Sequence, residues 1–199
     1  MTLRLCLLPL LLMTSPVAAL EIACEGAFAI DSSEARLIEI YGADNVRTGI
    51  VPGPEGTEML ATEVYPDSPK RRLQFVWWNE AARTDLSYVE LSPKMSGPGG
   101  VRYGMSVAQV EALNGAPFTL SGFGWDYGGH AGFDKGSLAD LPGGCALGVT
   151  FSPESYPEGL NVDEIIGDRP VQSSNPLIEQ VNARVDLVFV SYPHPDYRE

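Results

Sequence analysis

The chain is short of the side chains that most enzymes rely on. Two histidines, His130 and His194, and three cysteines stand among 199 residues, which thins the repertoire for acid–base and nucleophilic catalysis. It contains no Gly-x-Ser-x-Gly elbow, no phosphate-cradling glycine–lysine loop, no His-Glu-x-x-His and no calcium loop. Basic residues are scarce as well: 13 Lys plus Arg face 26 Asp plus Glu, a net charge of −13. A negative potential of that size repels phosphate backbones and anionic lipid, which disfavours nucleic acid and membrane surfaces as partners. A basic or mixed-charge protein remains compatible with it. Beyond residue 13 no apolar stretch approaches the roughly 20 residues needed to span a bilayer.

Metal and cofactor chemistry find little support. Asp126, His130 and Asp134 stand four apart, a spacing that suits one face of a helix, yet Gly128, Gly129, Gly132 and Gly136 oppose a helix there. No metal site and no cofactor are assigned. Paired carboxylates are plentiful, so a carboxylate-dependent hydrolase of envelope polysaccharide, with Asp126 as one acid, stays open as an alternative.

What the chain does have is a leader. Arg4 precedes the apolar run Leu5 to Met13, and Val17-Ala18-Ala19 supplies the small residues of a cleavage site. Residues 1–19 therefore read as a signal peptide cut near Ala19, which implies a periplasmic or secreted protein. Cleavage removes Cys6 and leaves Cys24 and Cys145, whose economical reading in an oxidising compartment is one disulfide. The loop it closes is long, and chain entropy alone suggests roughly 4–5 kcal/mol of stabilisation.

Two segments repeat a pattern about 73 residues apart, a period that suggests a duplicated unit. Ser32 to Gly42 and Ser106 to Gly115 each read as a capped amphipathic helix stopped by glycine. Asp31 with Glu34 forms one capping box and Ser106 with Gln109 the other. Strand-like stretches follow the first helix at Met59–Tyr65, Arg72–Trp78 and Asp85–Leu91. In the second half they fall at Gly144–Phe151 and Arg184–Tyr192, with a short helix from Pro176. These strands are read by strict alternation: Leu86, Tyr88 and Glu90 share one side, and Val185, Leu187 and Phe189 share another. The expected fold is α+β, two related units that each pack a helix on a small antiparallel sheet. The first covers 20–96 and the second 97–199, with a joint near Ser92–Gly100 and a long loop at about 152–174.

The run Gly104-Met105-Ser106-Val107-Ala108-Gln109-Val110, followed by Asn114-Gly115-Ala116-Pro117, resembles the helix signature of small outer-membrane-assembly lipoproteins. A comparable tandem α+β architecture occurs in secreted β-lactamase inhibitor proteins. The resemblance covers few residues and implies a binding scaffold that presents a sheet face or loops to another protein. An activity does not transfer with it.

The candidate contact residues are aromatic. Gly122 to Gly129 interleaves glycine with Phe123, Trp125, Asp126 and Tyr127, and Trp77 and Trp78 point to opposite sides of one strand. Such groups either fill the core or reach out as anchors. The expectation is an exported, non-enzymatic protein-binding or envelope-associated protein. The alternatives are a secreted enzyme inhibitor and the hydrolase above.

Overall fold

Side-chain caps set the helix ends in the computed structural model, which describes residues 22–198. Helix α1 (Glu34–Tyr41) starts at Ser33, whose hydroxyl accepts from the Arg36 amide at 3.2 Å. Asp31 does not cap it; its carboxylate pairs with the Arg36 guanidinium at 2.6 Å. Helix α2 (Val107–Asn114) carries both halves of the expected box, Ser106 Oγ accepting from Gln109 N at 3.2 Å and Ser106 N donating to Gln109 Oε1 at 2.9 Å. It stops at Gly115, whose φ of 69° is the left-handed turn that glycine adopts freely. Helix α3 (Pro176–Gln180) follows an Asn175 cap. The expected leader, 1–19, lies outside the described residues.

Nine strands alternate with these short helices: β1 (Val46–Pro52), β2 (Glu58–Val64), β3 (Leu73–Asn79), β4 (Thr84–Glu90), β5 (Thr119–Ser121), β6 (His130–Ala131), β7 (Ala146–Ser152), β8 (Pro170–Gln172) and β9 (Arg184–Ser191). They join into one sheet in the order β1-β2-β3-β4-β9-β7-β6-β5-β8, antiparallel at every pairing.

The expectation of two related helix-on-sheet units is overturned. The last strand, β9, inserts at the centre, with Phe189, Val190 and Ser191 opposite Glu90, Val89 and Tyr88 of β4. Its other edge pairs with β7 along nearly its full length. Backbone hydrogen bonding therefore runs unbroken from β1 to β8, and the architecture is sheet-dominated. The repeated helix signature reports two similar caps, because local capping chemistry does not specify how distant strands pair. The stretch at 152–174 is also more than a loop: it supplies edge strand β8 and the fully buried Ile165.

Register fixes which side chains share a face. Leu73 and Phe75 of β3, Val89 of β4, Val188 and Val190 of β9, Leu147 and Val149 of β7, Ala131 of β6 and Leu120 of β5 form one continuous buried side. The helices cover that side. α1 is tied to the sheet by the Ser33–Thr84 bridge and by Glu34, which accepts from Thr48 Oγ1 at 2.6 Å. The segment before α2 is held by reciprocal backbone bonds, Gly104 N to Val185 O and Val185 N to Met105 O, each 2.8 Å.

Two bulges break the simple alternation. Val76 faces Tyr88 but Trp77 faces Leu86, so Ser87 is an extra residue in β4. Thr150 faces Leu187 but Phe151 faces Val185, which makes Asp186 the extra residue in β9. Each bulge reverses the side on which later residues fall. Leu86 and Val185 go to the core with Val89 and Val188, while Tyr88, Glu90, Leu187 and Phe189 turn to the opposite face. The groupings expected from strict alternation are corrected on this point.

Cys24 and Cys145 lie at disulfide distance, their Cα atoms 6.0 Å apart and both side chains buried. The pair ties the segment ahead of α1 to the start of β7. Among the described residues no helix is long and apolar enough to cross a membrane. Both features are compatible with an exported protein.

Candidate functional site on the uncovered sheet face

The face away from the helices carries a cleft of about 420 Å³. Its base is set by register alone. Glu90 of β4, Phe189 of β9 and Gly148 of β7 form one row across three strands. Leu187 of β9, Thr150 of β7 and His130 of β6 form the next. Tyr88 stands two residues from Glu90 on the same side. Pro54, in the β1–β2 connection, and Asp126 and Tyr127, in the loop before β6, complete the walls.

Gly148 shapes the base. A Cβ there would overlap the outer carbons of the Phe189 ring, so only glycine lets that ring lie flat on the sheet. Lying flat, Phe189 stacks on His130 with centroids 5.5 Å apart and meets the edge of Tyr88 at 6.3 Å. Tyr88 is fixed in turn by its hydroxyl, 3.3 Å from Met59 Sδ. The outcome is a continuous aromatic band crossing from β4 to β6.

Burial governs the polar groups. It pushes the Glu90 carboxyl above its ordinary value, with nearby Arg72 working against the rise and Glu63 adding to it. Arg72 is itself engaged, 3.4 Å from Glu63 and donating to Gln74 at 3.0 Å. Burial likewise lowers the His130 imidazole, which favours its neutral form, and raises the Tyr88 phenol. Thr150 adds a hydroxyl at the base. Glu90 and Asp126 are the acidic residues lining the cleft, and none of the lining residues is lysine or arginine.

The six candidate contact residues separate into three locations. Trp77 is 2% exposed, stacked on Phe75 and donating its indole N–H to Thr62 at 2.9 Å. Phe123 is equally buried. Trp78 is partly exposed at another corner, donating to Tyr192 O at 3.1 Å and meeting the His194 ring at 4.9 Å. Trp125 bonds back to Gly122 O at 2.8 Å and touches Tyr127 edge-on at 5.4 Å, bracing it. Tyr127 and Asp126 line the cleft, and Tyr127 is 44% exposed.

The chain matches no family model, no curated protein and no solved structure. The reading of the site therefore rests on its geometry.

Sequence reasoning missed Tyr88, Glu90, Leu187 and Phe189 as site residues because strict alternation grouped them with Leu86 and Val185, which the bulges send to the buried side. One usable signal was present. Gly148 interrupts an otherwise apolar strand, and glycine inside a strand marks a bulge or a close approach by another group. His130 does join Asp126 at one cleft, whereas Asp134 does not line it. Among the described residues no group of three His, Cys, Asp or Glu is disposed to hold a metal.

Proposed function

We propose that this is an exported binding protein, periplasmic or secreted, whose working surface is the sheet face not covered by helices. The observation that carries the reading is the cleft itself: an aromatic base, a tyrosine at the rim and only negative formal charge, on a strongly acidic chain. Aromatic anchors in a desolvated pocket supply most of the energy of protein recognition, and charge complementarity selects among partners. A protein of basic or mixed charge fits this surface. The test is a photocrosslinking amino acid at Tyr127, with the comparably exposed Tyr156 as control, in cells that export the protein. A distinct adduct at 127 and none at 156 supports the reading; no adduct, or the same adducts at both, rejects it.

One observation favours a second reading. Glu90, whose carboxyl burial raises above its ordinary value, lines the same cleft as Asp126, and a pair of carboxyl groups is what carboxylate-driven hydrolysis of a glycosidic bond uses. Purified protein incubated with envelope polysaccharide would then release reducing ends, and both Glu90→Gln and Asp126→Asn would abolish release. No release by the wild type removes this reading.

A further inference from the structure

We propose that the cleft is a recognition pocket for an amphipathic organic cation, an ammonium group carried on a compact apolar or aromatic body. The inference rests on one part of the reading above, that this cleft is the working surface, and names the chemistry of what is bound there. Its volume, about 420 Å³, lies within the range typical of small-ligand sites. Phe189, Tyr88 and Leu187 offer an apolar bed, and aromatic faces attract cations through their ring quadrupoles. Glu90 and Asp126 supply the countercharge. Arg72, the cation that acts on Glu90, is already held by Glu63 and Gln74, so the cleft lacks a positive group of its own facing a ligand.

The same features exclude other chemistries. An anion would face two carboxylates with no lysine or arginine in the lining to receive it. A fully apolar ligand would bury Glu90 against hydrocarbon and leave its charge without compensation. A cation with an apolar body satisfies both halves of the site at once. Tyr127, braced by Trp125 at the rim, is placed to cover such a body, and Trp125 sits close enough to report occupancy by fluorescence.

Three probes share one hydrocarbon body and differ only in charge: 4-phenylbutylamine, 4-phenylbutanol and 4-phenylbutyrate. Calorimetry on the purified, disulfide-intact protein at neutral pH should give an amine affinity at least tenfold above that of the alcohol, with no detectable butyrate binding. Amide shifts on amine addition should map to β4, β9 and 126–130. Glu90→Gln should lower amine affinity about tenfold and leave the alcohol unchanged; Asp126→Asn, in an exposed loop, provides the same comparison if the strand variant fails to fold. Equal affinity for amine and alcohol, or shifts confined to another surface, overturns the proposal. The crosslinking at Tyr127 is read separately. An adduct there without amine binding rejects only the ligand class, and amine binding without an adduct rejects only the protein partner.

Discussion

Replacing Gly148 with alanine places a methyl group in space that the Phe189 ring occupies. Two effects then oppose one another. Alanine is favoured over glycine inside a strand by about 0.5–1 kcal/mol. The ring, however, must swing off the sheet and lose its contacts with His130 and Tyr88, and aromatic pairs contribute about 0.5–1.5 kcal/mol each. Together these give a net destabilisation of up to about 2.5 kcal/mol. At about 2–4 °C per kcal/mol for a chain of this size, Tm should fall by several degrees. The decisive measurement is a double-mutant cycle by urea denaturation at pH 7. In a Phe189→Ala background there is no ring to displace, so Gly148→Ala should become neutral or stabilising. The coupling energy should be about 1–3 kcal/mol, the sum for the two aromatic pairs, within the roughly 0.5–3 kcal/mol found for residues in contact. Additivity of the two changes within about 0.5 kcal/mol, the behaviour of independent sites, would refute the claim that glycine makes the bed for this ring.

Three other expectations follow from different parts of the molecule. Cys145→Ala should remove roughly 4–5 kcal/mol by the chain-entropy model, seen as a loss of urea midpoint that thiol reductant reproduces in the wild type and not in the variant. Ser106→Ala removes the hydroxyl that accepts from Gln109 N in the α2 capping box, leaving the backbone N–H that donates to Gln109 Oε1, and should cost about 0.5–2 kcal/mol, whereas a change within error would deny the cap its role. Glu90→Gln carries a pH signature. Because burial raises the folded carboxyl's pKa, the native state binds the proton more tightly than the unfolded chain, and stability falls as pH rises through that window. The variant should therefore match the wild type below about pH 4, where unfolded and folded carboxyls are both protonated, and exceed it at neutral pH. Denaturation curves across pH check this, and an advantage that is equal at all pH values contradicts it.

Local features of the fold were legible from sequence and distant ones were not. Ser33-to-Gly42 and Ser106-to-Gly115 announce their helices because caps and stops act within a turn or two. Strands β2, β3, β7 and β9 show as apolar runs. Strand β1 does not, since Gly49 and Pro52 interrupt it, and β5, β6 and β8 are only two or three residues long. The pairing of Val89 with Val190 joins residues about a hundred positions apart, and nothing near either one specifies the other. The same limit hid the cleft. Alternation was a sound guide to β4 and β9 up to Ser87 and Asp186, where one extra residue turned the following side chains over.

The position of β9 has a consequence for how the chain matures. β9 lies fifth of nine in the sheet, so the hydrogen-bonded ladder connects the β1–β4 block to the β5–β8 block only through it. Until residues 184–191 arrive, β4 and β7 each present an open edge able to pair with the wrong chain. Such non-local closure is slow. A chain whose sheet closes only when residues 184–191 pair stays pliable until that step, and any truncation ahead of β9 should yield aggregates rather than a smaller folded domain.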